Sequence, residues 1–533
     1  MIDRVQNIEK KRIIIQNRID KSKSNKERNK FGQFATPNSL AIEILEQTKQ
    51  YLSDNQAISF LDPAIGSGSF FSAFKQVFHN YTLDKLLGYE IDKEFVEVAT
   101  SLWQKEGLEV NQCDFTKIEP SYTNQVNLLV CNPPYVRHHH LTEEDKQRLV
   151  NYAKSKYGLS VSKLAGLYCH FIFKAHDFVK SNGISVWLIP NEFLDVNYGK
   201  AVKEYLLRNV QLLRIHRFNP DNLKFSDALV SSVVVWFRKS NPGKDSKITF
   251  TSGESLNNPD IIKQIDIKLL DSRNKWSDIF KNGITSKRKE TNSPQIKDLF
   301  MIKRGIASGN NSFFILSEED VKKKGIPKTF LKSILPSPKF IDFSIINSDS
   351  EGNPKISNKY YLLNCKKSIN EIKKESTTLY NYLKLGENQG IQNGYICKNR
   401  TPWYSQENRE PPLFVCNYIG RENSTKAFRF ILNKSNAIVT NSYLGLYPKP
   451  LFYKLQEENP DLSVEILKML NSIPSQELVR KGRVYGGGMY KLEPKELENV
   501  EIELPKSLTK YIRPTKQLTL FEPKKNYATQ QKT

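Results

Sequence analysis

The sequence predicts an α/β protein: a doubly wound, mostly parallel sheet of seven strands over residues 31–240, followed by a second, mixed α/β region over 293–508. Three observations carry this. The 533-residue chain exceeds what one hydrophobic core supports, since cores stop growing at about 250–300 residues. Up to Lys239, short β-branched or apolar runs alternate with segments of helical spacing, the mark of strands joined by helical crossovers. Beyond Ser240 the texture changes, starting at the break Asn241-Pro242-Gly243 and continuing into sequence rich in Asn, Lys, Tyr and turn residues.

Taken in order, residues 1–30 hold ten Lys/Arg and four Asp/Glu, with little apolar periodicity beyond Ile13–Ile15, and read as a basic arm or a frayed helix. Strands are expected at Ile58–Leu61, Lys85–Tyr89, Leu108–Asn111, Val126–Val130, Ile184–Ile189, Leu212–Ile215 and Val230–Phe237. Helical spacing appears at Phe70–Val77, Phe95–Gln104 and Tyr168–Val179. No helical stretch separates the last two strands, so they are expected to pair antiparallel at the sheet edge. Residues 241–292 are polar with weak strand signals and read as a linker. Residues 509–533, rich in Pro, Lys and Gln, read as a basic disordered tail.

The formal charge is +23, from 80 Lys+Arg against 57 Asp+Glu. For a chain with a real core, such an excess points to a polyanionic partner, most often nucleic acid. Six widely spaced cysteines without a CxxC pair argue against a zinc ribbon and a disulfide framework, and for a reducing compartment. No run approaches the ~18 apolar residues of a membrane span, and Met1–Lys11 lacks the apolar core of a secretory signal. A cytoplasmic location with no membrane partner is expected.

The first strand ends in Asp62-Pro63-Ala64-Ile65-Gly66-Ser67-Gly68-Ser69-Phe70. Glycines at 66 and 68 permit a tight turn and a close approach to a ligand, and the following helix points its N-terminus there. The second strand runs into Glu90-Ile91-Asp92, with Glu90 22 residues beyond Gly68 (90 minus 68). A carboxylate so placed can accept the hydroxyls of a ribose. The third ends in Cys113-Asp114-Phe115, where Asp114 offers an acceptor to an adenine amine and Phe115 a packing surface. The three together indicate a nucleoside-type cofactor. A Walker lysine is missing, which disfavours ATP, and Phe71 at the third glycine position of GxGxxG disfavours NAD.

The fourth strand ends in Asn132-Pro133-Pro134-Tyr135. Two prolines cannot continue a ladder, so the carbonyls of Asn132 and Pro133 are held in a fixed loop. The Asn132 amide and a backbone carbonyl make two acceptors for one NH2 group, which turns its lone pair toward a methyl donor. Such transfer from a sulfonium needs no strong base. Tyr135 supplies a ring on which a planar substrate can stack.

Asn132–Tyr135 following Asp62–Phe70 resembles the amino-group DNA methyltransferases, in particular the gamma class of adenine-N6 enzymes: type II modification methylases with a C-terminal target-recognition domain. The similarity covers roughly 31–239, including Gln33-Phe34-Ala35-Thr36-Pro37, Gly166-Leu167-Tyr168 and Gly183–Pro190, and reaches the later region in outline. It implies a Rossmann-like methyltransferase sheet binding S-adenosyl-L-methionine. It also implies contact between Thr36-Pro37 and the cofactor's methionine end; Thr36 is expected to cap a helix whose first turn holds Pro37. An aromatic before the last strands stacks on the flipped adenine opposite Tyr135 in this class; Phe225 sits there, with Phe218 as its competitor. The resemblance further implies double-stranded DNA as substrate, a monomeric enzyme, and a separately encoded cognate restriction endonuclease.

In the later region, cations, amides and aromatics interleave with glycines at Lys303–Asn311, Trp403-Tyr404 and Lys481–Tyr490, a mixture that can read base edges and follow phosphates. Arg304, Asn310, Asn311, Arg483 and Tyr485 are the expected DNA contacts. His138-His139-His140 has no partner Cys/His cluster, and no metal site is expected. Methylation of RNA adenine or a protein glutamine shares the Asn-Pro-Pro-Tyr chemistry, as does cytosine-N4 methylation. The second large region and the charge favour DNA, and the asparagine and the motif order favour adenine. A non-catalytic DNA-binding subunit with this fold is disfavoured by the intact motifs.

Overall fold

The computed structural model describes residues 2–24, 32, 34–53, 56–218, 232–243, 245–282, 293–421, 427–485, 489–505 and 508. The chain divides into two compact units, Met1–Arg288 with Tyr485–Gly487, and Lys289–Val484 with Gly488–Thr533.

The first unit runs α1 (Ile2–Ser22), α2 (Asn38–Lys49), β1 (Ile58–Asp62), α3 (Ser69–Val77), β2 (Leu83–Glu90), α4 (Lys93–Trp103), β3 (Glu109–Gln112) and β4 (Val126–Cys131). It continues with α5 (Glu143–Tyr157), α6 (Leu167–Ala175), β5 (Val179–Pro190), α7 (Lys200–Arg208), β6 (Gln211–Phe218), β7 (Ser232–Arg238), β8 (Lys247–Gly253) and β9 (Ile261–Asp266). Among the described residues nine strands form one sheet in the order β3-β2-β1-β4-β5-β7-β6-β8-β9. The first five are mutually parallel. The chain order reverses between β1 and β4, and ligands of open α/β sheets bind at the carboxyl ends of strands beside such a switch point.

Both faces of this sheet are covered. Along β4, Leu129 and Cys131 enter one buried cluster with Phe173, Trp187 and Tyr205. Leu128 and Val130 enter a second with Phe60, Phe71, Trp103 and Trp236. The two-residue alternation of a strand thus feeds two cores, so the strands read as continuous apolar runs.

Three expectations about this unit need correction. β7 does pair antiparallel, but it lies between β5 and β6 and is not an edge; its six buried residues, Ser232–Phe237, fit an interior strand. The stretch read as a linker contributes β8, parallel to β6, and β9, antiparallel to β8, because Ile248 and Phe250 are buried in the sheet's core. Within the supposed N-terminal arm, α1 is a packed helix that buries Val5, Glu9, Arg12, Gln16 and Ile19 against α3 and α4.

The second unit is mixed α/β. Among its described residues a five-stranded sheet orders Phe300–Arg304, Tyr443–Pro448, Phe414–Asn417, Phe430–Asn433 and Ile345–Ile346, and two three-stranded sheets accompany it. Helices Pro450–Glu458 and Leu462–Ser472 supply Phe452, Leu455, Ile466 and Leu470 to the core over that sheet. Residues 509–533 lie outside the described part of the chain. No helix among the described residues is long and apolar enough to cross a membrane.

Candidate active site

A cavity of about 330 Å³ opens at the carboxyl ends of β1, β2, β3 and β4, within the size range of small-molecule sites. It gathers Thr36, Asp62, Pro63, Ala64, Gly66, Glu90, Ile91, Asp114, Phe115, Asn132 and Pro134. The glycine turn, the second-strand acid, the third-strand acid and the asparagine therefore share one chamber. Pro37, Gly68, Pro133 and Tyr135 do not border it.

The loop after β1 is shaped by its own hydrogen bonds. Gly66 and Gly68 have φ of 54° and 91°, conformations that favour glycine. The Gly66 N–H donates to Glu90 Oε2 at 3.0 Å, joining the loop to the second strand end. Gly68 serves packing: a Cβ there would lie 2.4 Å from Trp103 Nε1, and that indole donates to the Ser67 carbonyl at 2.9 Å. The left-handed backbone and the Trp103 indole both demand a glycine at 68.

Glu90 accepts two more backbone hydrogen bonds at Oε1, from Ile91 at 2.9 Å and Asp92 at 3.0 Å. Burial pushes its carboxyl up, and these three donors oppose the shift. The Asp62 carboxylate, buried beneath the same loop, accepts from the Ala64 N–H at 3.1 Å. Burial pushes Asp62 up to about 8; the Ala64 N–H opposes this and the Glu90 charge adds to it. The folded protein thus holds this proton more tightly than the unfolded chain, whose carboxyl titrates near 4. The resulting stability is complete below the unfolded value and is lost as pH rises through about 8. Asp62→Asn is expected to flatten stability against pH between about 5 and 8, by at most about 1.4 kcal/mol per pH unit. Denaturant titrations across that range check it; a wild-type slope in the variant would assign the effect to another group.

Asp114 is more committed locally than the sequence suggests. Its Oδ1 accepts from the Thr116 N–H at 3.0 Å and the Thr116 hydroxyl at 2.7 Å, capping a short 3-10 turn. Phe115 is buried against Phe178, Tyr89 and Phe171, with centroids 4.8, 5.5 and 5.6 Å away.

The Asn132 amide is held from its nitrogen end. Its Nδ2 donates to the Phe34 carbonyl at 3.0 Å and to Thr36 Oγ1 at 3.1 Å. A carbonyl only accepts, so the nitrogen end of the amide is fixed. Its Oδ1 is then left buried, with no hydrogen-bond partner among the described residues. Such an orphan acceptor costs free energy and calls for explanation. Thr36 therefore does not cap a helix as expected: α2 starts after Pro37 with no side-chain cap, and the Thr36 hydroxyl turns inward to the asparagine. The Thr36 carbonyl accepts from Ser69 Oγ, which opens the helix after the glycine loop. Tyr135 donates from its hydroxyl to the Leu188 carbonyl at 3.1 Å, and its ring lies 6.1 Å from that of Phe34. Burial drives its phenol pKa upward.

Phe225 falls outside the described residues. Phe218 ends β6, is buried, and packs against His216 at 4.7 Å in the sheet's second buried cluster. Sequence reasoning missed Gln16, Phe34, Phe70, Phe95, Arg148 and Phe171, which also line the cavity. Phe34 and Phe70 lie inside the quoted motifs Gln33–Pro37 and Asp62–Phe70 and could have been singled out; Gln16, Arg148 and Phe171 lie on helices with no local signal.

Residues 36–223 match the Eco57I restriction-modification methylase family, and residues 280–525 match the type II methyltransferase M.Eco57I, C-terminal domain. The chain belongs to the Eco57I family of restriction-modification methylases. The methylase is 26% identical to type II methyltransferase M.AccI of Acinetobacter calcoaceticus over 494 residues, 90% of this chain and 86% of that one. It is 25% identical to type II methyltransferase M.XamI of Xanthomonas campestris pv. amaranthicola over 452 residues, 83% and 80% of the two chains. The type IIL restriction-modification enzyme MmeI, solved in complex with DNA, shares the fold at a TM-score of 0.52 and 14% identity, over 87% of this chain. The methylase spans 64% of that enzyme's length.

In the second unit of the methylase, Arg304 is exposed and its guanidinium lies 4.1 Å from the Tyr418 ring centroid. Asn310 is a helix cap: its Oδ1 accepts from the Phe313 N–H at 3.1 Å and from Ser312 Oγ at 2.7 Å. Asn311 accepts from Ser308 Oγ at 2.6 Å. Arg483 pairs with Glu496 at 3.0 Å, and Tyr485 ends the strand Arg483–Tyr485. Trp403 and Tyr404 belong to the core around Phe313 and Phe314.

Proposed function

We propose that this methylase transfers a methyl group from S-adenosyl-L-methionine to N6 of an adenine, turned out of the stack of a short duplex DNA sequence. The observation that carries this is the Asn132 amide: locked at its nitrogen end, with a buried, unpartnered oxygen beside the cavity. That oxygen accepts one N–H of the target amine and the Pro133 carbonyl accepts the other, which directs the lone pair at the donor. Tyr135, anchored by its hydroxyl, presents its ring for stacking, and Phe225 is proposed as the opposite face. Extruding a base costs a few kcal/mol, which aromatic stacking and phosphate contacts offset.

The lining fits the cofactor. Glu90 and Asp114 offer carboxylate acceptors to the hydroxyls and amine of a nucleoside, and Phe34, Phe70, Phe95, Phe115 and Phe171 offer apolar ring surface for a purine. S-adenosyl-L-methionine held there supplies an electrophilic methyl group on a sulfonium. Glu90 would take a ribose hydroxyl on its remaining acceptor site, since a carboxylate has about four and three are used. Asp114 Oδ2 would take the adenine amine.

For DNA, the support is the +23 charge, the named relatives and the second unit, which we assign to target recognition. Arg304, Arg483, Asn310 and Asn311 within it are proposed DNA contacts, as is Tyr485, which groups with the first unit. Asn310 is the weakest of these, because its oxygen is spent on capping. A monomer acting beside a separately encoded endonuclease is the arrangement in which such a methylase protects host DNA.

Thr36→Val keeps the side chain's shape and removes the acceptor that fixes Asn132. We expect kcat to fall about 10–100-fold, the equivalent of ~1–3 kcal/mol for an unsatisfied buried group. Cofactor affinity should change far less, and Thr36→Ser should restore most of the rate. A loss confined to cofactor affinity would instead put the hydroxyl on the cofactor. The function itself is tested by methyl-labelled cofactor and duplex DNA, with chromatography of the digested nucleosides. Label in N6-methyldeoxyadenosine supports the proposal, and label in N4-methyldeoxycytidine, or none in DNA, refutes it.

A further inference from the structure

Helix α1 precedes the residues matched by the catalytic family model, and its buried face is built of the wrong residues for mere packing. Of the five side chains it buries, Glu9, Arg12 and Gln16 are polar. Glu9 and Arg12 are 4% and 3% exposed and form a two-pronged ion pair, both contacts at 2.7 Å. Desolvating two charges is costly, and apolar residues of similar volume generally hold such a contact at least as well. The pair therefore needs a reason beyond stability.

Its position supplies one. Arg12 Nη1 donates to Ser67 Oγ at 2.9 Å, and Ser67 Oγ donates to Gln16 Oε1 at 2.7 Å. Ser67 sits between Gly66 and Gly68, in the loop whose Gly66 N–H meets Glu90. Gln16 and Ser67 both line the cavity. Just past the helix, Lys23 Nζ reaches Asp92 Oδ2 at 2.8 Å, and the Asp92 N–H is one of the donors to Glu90. The helix and the residue that follows it thus touch both loops around Gly66 and Glu90.

We propose that α1 is a positioning element of the cofactor site: Arg12, oriented by Glu9, fixes the glycine loop through Ser67, and Gln16 forms part of the cavity wall. This rests on the cavity being the S-adenosyl-L-methionine site. The test is calorimetric titration of the full chain with S-adenosyl-L-methionine, for wild type and the double variant Glu9→Leu/Arg12→Met, with thermal unfolding of each. The double variant is expected to unfold at a temperature near that of wild type and to bind the cofactor about 10–100-fold more weakly, the size of losing an outer-shell support. Methyl transfer at saturating cofactor should stay near wild type, so the loss appears in KM for the cofactor and not in kcat. If the double variant is destabilised, Ser67→Ala decides, since it severs the link at the loop and leaves the ion pair in place: about tenfold weaker binding sustains the proposal, and unchanged binding overturns it. Equal affinity in wild type and double variant overturns it alone, whereas no binding by wild type overturns the cofactor reading as well.

Discussion

Asn132→Ala is expected to lower methyl transfer by about 10²–10³-fold, the typical loss on removing one preorganised polar group from a reacting centre, with cofactor affinity close to wild type. The reasoning is geometric. Phe34 and Thr36 hold the amide from its nitrogen end, so the oxygen is already aimed and unpartnered before any substrate arrives. Alanine removes the acceptor without touching the loops around Gly66 and Glu90. Single-turnover rates at saturating cofactor, beside calorimetric affinity, check both halves. A variant within a few-fold of the wild-type rate would mean that the target amine is held elsewhere.

Glu90→Gln is expected to weaken S-adenosyl-L-methionine binding by about 100-fold. The carboxylate accepts from three backbone N–H groups, two at one oxygen and one at the other. A glutamine must place an NH2 group against at least one of these donors, and a hydrogen bond to a charged acceptor is worth about 1.5–3 kcal/mol. The glycine loop then loses its tie to the second strand at the place proposed for the ribose. Calorimetry measures the affinity, and unfolding in the absence of ligand shows whether the loop alone is affected. Unchanged affinity would remove Glu90 from the site.

Most of the catalytic sheet is legible in the sequence because its strands are buried on both faces and so appear as unbroken apolar runs. Asp62–Gly68, Glu90 and Asn132 each follow such a run, whereas Asp114 follows the edge strand β3, none of whose residues is buried; its place is legible from its position after β2 and α4. The expectation failed where burial is one-sided or polar. β9 is an edge strand with a single buried residue, Ile265, and its polar alternation resembles a linker. α1 repeats its buried positions at 5, 9, 12, 16 and 19, a helical spacing, but Glu9, Arg12 and Gln16 hide it from any reading based on hydrophobic period. Thr36 was misplaced for a third reason. A Thr-Pro pair before a helix is a normal cap locally, and only the distant Asn132 shows that the hydroxyl faces inward.

The most direct measurement is to express the chain in a methylation-deficient bacterium and sequence the genome with modification-sensitive single-molecule reads, beside the Asn132→Ala variant. N6-methyladenine confined to one short sequence motif, and absent with the variant, is the predicted result. Methylated cytosines with unmodified adenines, or unmodified DNA despite soluble protein that binds S-adenosyl-L-methionine, would contradict it.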